Sequence, residues 1–172
     1  MGHFSHSKLE ALEQELSAGG DVENTGGEGR TRLHEAAEEG DLPLVGLLLR
    51  FRASVHARDV IGYHPMHCAV GLMGPEAATI IKALLVAGAD VNAQNRNGDT
   101  PLSLAYRYNH PFCVGALIRA GADPSLCGSR SKPTPPFVVD LLRSSDGASV
   151  VAKTLATGID INAKDENGHT LL

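Results

Sequence analysis

Residues 88–98 read Gly88-Ala89-Asp90-Val91-Asn92-Ala93-Gln94-Asn95-Arg96-Asn97-Gly98, and Asp99-Thr100-Pro101-Leu102 follow directly. The first half of this run returns 33 residues later as Gly121-Ala122-Asp123-Pro124-Ser125. It returns again as Gly158-Ile159-Asp160-Ile161-Asn162-Ala163 and continues through Asn167-Gly168 to Thr170-Leu171. Self-similarity at a period near 33 residues marks a stacked-repeat solenoid, because one such unit buries its apolar face only against its neighbours.

Aligning on the glycine before Thr-Pro-Leu sets out the units. The first carries Gly29-Arg30-Thr31-Arg32-Leu33-His34-Glu35-Ala36-Ala37, the second Gly62-Tyr63-His64-Pro65-Met66-His67-Cys68-Ala69, the third Gly98-Asp99-Thr100-Pro101-Leu102-Ser103-Leu104-Ala105. Lys132-Pro133-Thr134-Pro135-Pro136-Phe137 is a degenerate fourth, and a fifth begins at Asp165. Thr followed by Pro predicts a helix start, since the hydroxyl caps free N–H groups and Pro suits the first helical position. Gly40 and Asn109 then suit the left-handed residue that ends a helix. The second helix of each unit is richer in Leu, Val and Ile, as in Leu44–Leu49 and Thr79–Leu85, and it ends at Gly88 or Gly121. An extended stretch and a turn around Arg96-Asn97-Gly98 complete the unit.

The runs Thr100-Pro101-Leu102, Leu33-His34-Glu35-Ala36-Ala37 and Ala87-Gly88-Ala89-Asp90-Val91-Asn92-Ala93 resemble ankyrin repeats, over about residues 28 to 172. The resemblance implies an all-α solenoid of helix-turn-helix units joined by β-hairpin-like loops. Residues 28–172 would form the array, about four repeats and the start of a fifth. Residues 1–27 would supply an N-terminal half-repeat and a glycine-rich link, with Leu9, Leu12 and Leu16 as its apolar stripe. The departures are specific. Arg32 replaces Pro, His64 replaces Thr, and Arg52-Ala53-Ser54 replaces Gly-Ala-Asp. About three extra residues lie between the helices of the second unit, around Gly71-Leu72-Met73-Gly74-Pro75. Leu171-Leu172 falls within an expected helix, so the sequence reads as a fragment of a longer protein.

Bulk properties narrow the function. The net charge of −5 over 172 residues gives no global attraction to nucleic acid or anionic membrane. No apolar run approaches the roughly 18 residues of a membrane span. Three cysteines at unpatterned spacing read as reduced thiols, which points to the cytoplasm or nucleus. His34-Glu35-Ala36-Ala37-Glu38 lacks the second His of a zinc-protease helix, and His64, His67 and Cys68 occupy ordinary repeat slots. No metal, cofactor or catalytic constellation is expected, and the chain reads as a non-enzyme.

What remains is recognition. In ankyrin-like arrays, partners meet the hairpin tips and the outward side of each first helix. Here those slots hold Val60, Ile61, Tyr63, Leu72, Arg96, Asp99, Arg107 and Tyr108, beside Arg30, Glu38 and Glu39 in the first unit. Tyr and Arg are the residue types that dominate binding energy at interfaces. The expected function is a monomeric adaptor, scaffold or inhibitor that binds a protein or peptide. The alternative is a regulatory or targeting segment of a larger enzyme or secreted effector. Two modification sites are expected. Asn92, with Leu84 eight residues before it and Asp90-Val91 adjacent, matches the pattern implied for asparaginyl hydroxylation in such repeats. Thr134-Pro135 resembles a proline-directed kinase site, within an Arg130–Pro136 stretch that also fits a polyproline ligand.

Overall fold

The computed structural model of the chain describes residues 6–127. Within them lie seven α-helices: α1 (His6–Ser17), α2 (Arg32–Glu39), α3 (Leu42–Arg50), α4 (Pro65–Ala69), α5 (Pro75–Val86), α6 (Pro101–Arg107) and α7 (Pro111–Arg119). Short 3-10 turns at Gly27–Gly29 and Pro124–Leu126 complete the regular structure. The degenerate fourth unit, the fifth, and Thr134 lie outside the described residues.

The helices form two layers. α2, α4 and α6 pack in sequence as the inner layer, and α1, α3, α5 and α7 pack as the outer one. The core lies between them. Leu33, Ala36, Ala37, Val45, Leu48, Met66, Ala69, Ile80, Ile81, Leu84, Leu102, Ala105, Val114 and Leu117 are all buried in it. The inner helices contribute alanines at equivalent positions (Ala36, Ala69, Ala105), which lets the two layers approach closely. The outer helices contribute the long aliphatic side chains that fill the gap.

α1 is an outer helix without an inner mate. Leu12 and Leu16 are its buried residues, and it packs on α3. Two ion pairs fix its register, Arg32 to Glu15 at 3.2 Å and Arg50 to Glu13 at 3.0 Å. Arg32, at the position where Pro is typical, thus reaches the cap helix.

The outer helices end alike. In each, a residue with positive φ donates its N–H three residues back, and the next N–H reaches five back. The pairs are Gly19/Gly20, Arg52/Ala53, Gly88/Ala89 and Gly121/Ala122. Three of the four left-handed residues are glycines, while Arg52 adopts φ 61° with a full side chain. This is the one such end where an L-residue bears the steric penalty of that region.

Beyond the helices, side chains tie extended segments of neighbouring units at two junctions. The Glu23 Oε1 accepts the Ser54 N–H at 2.5 Å, and Asn92 Oδ1 accepts the Asp123 N–H at 2.8 Å. The hairpin tips are joined by backbone bonds, Val60 N–H to the Glu28 carbonyl at 2.9 Å and Arg96 N–H to the Ile61 carbonyl at 3.1 Å. Gly62 is required in this tiling: it has φ 81°, and a Cβ there would sit 2.9 Å from Arg96 N.

The Arg52→Gly substitution is expected to raise stability by roughly 0.5–1 kcal/mol, since it relieves left-handed strain without removing a buried contact. Urea unfolding of both chains checks it, and a less stable glycine variant would show that the Arg52 side chain contributes more than its backbone costs.

Candidate partner-binding face

The inner helices and hairpins are aimed by two buried histidines. His34 Nδ1 accepts the Thr31 N–H at 3.1 Å, and its Nε2 donates to the Tyr63 carbonyl of the next unit at 3.0 Å. His67 repeats the arrangement one unit on, accepting from His64 N–H at 3.1 Å and donating to the Asp99 carbonyl at 3.1 Å. Both rings are engaged at both nitrogens, which leaves neither nitrogen open to a metal. Among the described residues no group of three or more metal-ligating side chains occurs. In the third unit Ser103 stands in the histidine slot and its hydroxyl donates back to the Thr100 carbonyl at 2.8 Å.

Two Asx turns shape the hairpins. Asp59 Oδ1 accepts the Ile61 and Tyr63 N–H groups at 3.0 and 2.8 Å, and Asn95 Oδ1 accepts those of Asn97 and Asp99 at 2.8 and 2.9 Å. Each turn holds a tip open to solvent and places the next side chain on the inner face. Val60 and Ile61 therefore stand 48% and 50% exposed at the tip. Arg96 is exposed at the neighbouring tip.

Four of the expected residues converge. Arg107 pairs with both oxygens of Asp99. Tyr63 is half-buried, stacked on the His67 ring with centroids 5.3 Å apart, and its phenol is electrostatically coupled to that of Tyr108. Burial first, then Tyr108 and Asp99, push the Tyr63 phenol up to about 12. Tyr108 closes the cluster from the end of α6 and is 45% exposed. The result is a two-tyrosine platform bordered by an ion pair that is already satisfied. The equivalent pair in the first unit is reversed in sign, with Arg30 to Glu38 at 2.6 Å.

Leu72 lies apart from that cluster, in the lengthened loop of the second unit. α4 is only five residues long, and the chain runs through Val70–Gly74 before α5 begins. Leu72 turns onto Gly40 of the first unit, where a Cβ would meet its Cδ2 at 3.2 Å. This loop and the α6–α7 turn enclose a notch of about 220 Å³ lined by Leu72, Met73, Tyr108, His110, Pro111 and Phe112. Met73 and Phe112 were not among the expected contact residues. The signal for them was a pair of large apolar residues beside turn glycines and prolines.

The His64 for Thr exchange has a local partner: Arg58 Nε donates to His64 Nε2 at 3.0 Å. Asn92 sits on the extended segment, partly buried through its bond to Asp123, and Leu84 is fully buried. Cys68 contacts Arg30 Nη2 at 3.5 Å, and burial pushes its thiol up to about 12, which makes it a poor nucleophile.

Burial also holds His67 down at about 4 against an ordinary 6.5, and lowers His34. The unfolded chain takes up these protons before the folded one does. Stability is therefore full above the ordinary value and declines as the pH falls toward 4, by on the order of 3 kcal/mol for His67. Urea unfolding across that range is expected to show the decline, and His67→Gln to flatten it. An unchanged slope in the variant would mean that another group carries the dependence.

A profile described as ankyrin repeats (3 copies) matches residues 4–95 and 33–126. Inversin of Canis lupus familiaris is 32% identical over 112 residues, 65% of this chain and 10% of that protein. Human protein phosphatase 1 regulatory subunit 27 is 40% identical over 76 residues, 44% of this chain and 47% of the relative. Glycerophosphocholine phosphodiesterase gde1 of Schizosaccharomyces pombe is 33% identical over 94 residues, 54% of this chain and 8% of the relative. The chain thus spans less than half the length of each of these relatives.

Proposed function

This chain belongs to the ankyrin-repeat family, and we propose that it acts as a non-enzymatic recognition module, an adaptor, scaffold or inhibitor that binds a protein or peptide through its hairpin tips and inner helix face. The observation that carries the reading is the convergence of Tyr63, Tyr108, Asp99 and Arg107. Two aromatic rings there are held by neighbours rather than by partner contacts. A platform of that kind loses little side-chain entropy on binding. Val60, Ile61 and Arg96 extend it along the tips.

The relatives fit this reading. One is named a regulatory subunit. Another is named a phosphodiesterase, of which this chain matches a small part, and it supports the second reading: a regulatory or targeting segment attached to an enzyme or secreted effector. The proposal includes a monomer without nucleic-acid or membrane partners. Among the described residues no helix is long and apolar enough to cross a membrane. It also includes a cytoplasmic or nuclear site of action, supported by three free cysteines. Asn92 belongs to the proposal as a modification site. With Leu84 buried and Asn92 bonded to Asp123, a hydroxylase would have to open the segment first. Peptide mass after exposure to an asparaginyl hydroxylase should show one added oxygen on Asn92, and an unchanged mass would remove the site.

Pull-down from source-cell lysate with the wild-type chain beside Tyr63→Ala/Tyr108→Ala tests the central reading. The double variant should stay folded by circular dichroism and lose its prey by at least about tenfold in affinity, as expected for aromatic hot spots. Full retention of the prey would move the contact surface elsewhere.

A further inference from the structure

We infer that the notch between the Val70–Gly74 loop and the α6–α7 turn receives one large apolar side chain from a basic linear segment of a partner protein. The inference rests on the recognition reading above and adds the chemistry of the partner.

The volume sets the kind of occupant. About 220 Å³ lies below the range of roughly 300–1,000 Å³ typical of small-molecule sites, and suits a single Leu, Met or Phe side chain. The lining sets its polarity. Met73 stands 82% exposed and Phe112 52% exposed, facing the notch with Tyr108 and Pro111. Adjacent large apolar residues at such exposure differ from the scattered singles of an ordinary surface. Two polar groups bordering the notch are already engaged. His110 Nδ1 donates to the Val70 carbonyl at 2.7 Å, and the buried Cys113 thiol lies 3.8 Å from the Val70 and Leu72 carbonyls. An apolar guest would leave those bonds intact.

Charge sets the flanks. Glu76 folds back on Gly74, where a Cβ would meet its Oε2 at 2.1 Å, so this carboxylate lies against the notch wall. The Glu76 carboxylate is exposed and makes no ion pair among the described residues. The nearby Arg107 is committed to Asp99. The wall at Gly74 therefore carries a negative charge that no described cation neutralises, in a chain whose net charge is −5. Lys or Arg beside the inserted side chain would meet opposite charge, whereas an acidic segment would be repelled. Tyr108 belongs to both the notch and the tyrosine platform, so one extended segment can run across both.

The test is selection from a random linear-peptide phage library on the full chain, followed by titration of the enriched peptides. The expected result is enrichment of a large apolar residue flanked by Lys or Arg. Affinity should fall about tenfold or more for Met73→Ser/Phe112→Ser, and separately for Glu76→Lys. The second variant changes only an exposed residue and reports even if the first loses stability. Peptides that bind equally to both variants overturn the inference, as does enrichment without basic flanks, or no enrichment at all. If those peptides are instead lost with Tyr63→Ala/Tyr108→Ala alone, the recognition reading stands while the notch falls. A concentration-dependent dimer that disappears in Met73→Ser/Phe112→Ser also overturns it, by assigning the notch to a second copy of this chain.

Discussion

The hydrogen bond from a buried imidazole to a carbonyl of the next unit governs both the stack and the face it presents. His34 captures the Tyr63 carbonyl, and His67 captures the Asp99 carbonyl. The residues whose backbones are captured are the same ones whose side chains build the platform. Stacking and recognition are thus coupled through single residues: a change in how the units sit would also turn Tyr63 and Asp99. The arrangement needs neutral histidines, since Nδ1 must accept while Nε2 donates. Burial supplies that state by disfavouring the charged ring.

Around this bond the fold divides its tasks. The outer helices carry the long aliphatic side chains and end in a common left-handed turn, which returns the chain toward the hairpins at the same angle each time. The inner helices are short and alanine-rich and leave one side open to solvent. The hairpins are held by Asx turns and tip-to-tip backbone bonds. Their side chains are therefore released from structural duty, and that is why Val60, Ile61 and Arg96 can vary without loss of the frame. The second unit breaks the regular spacing. Its short α4 and longer loop shift Leu72 onto the preceding unit and leave Met73 beside Phe112 of the following one.

Charge on the inner face is mostly self-neutralised. Arg30 with Glu38 and Asp99 with Arg107 occupy equivalent positions with opposite sign, and each pair is partly exposed. Such pairs add little stability. They leave Glu76 as the residual charge beside the notch.

The repeat period, the all-α architecture, the capping residues and the left-handed Gly40 and Asn109 were legible in the sequence, because each follows from local backbone chemistry repeated in order. The outward position of Val60, Ile61, Arg96, Arg107 and Tyr108 was legible for the same reason, whereas Tyr63, Leu72 and Asp99 are partly buried. The tertiary structure alone decided what those side chains do to one another. Arg107 reads as a free hot-spot candidate in sequence and is bound to Asp99 in space. Tyr63 and Tyr108 lie 45 positions apart and are electrostatically coupled. Leu72 looks like part of the platform and instead packs on Gly40, and the notch arises from loops of two units. Spacing along one chain fixes a residue's own direction, whereas contacts between units depend on the stacking distance and on an insertion that no periodic pattern encodes.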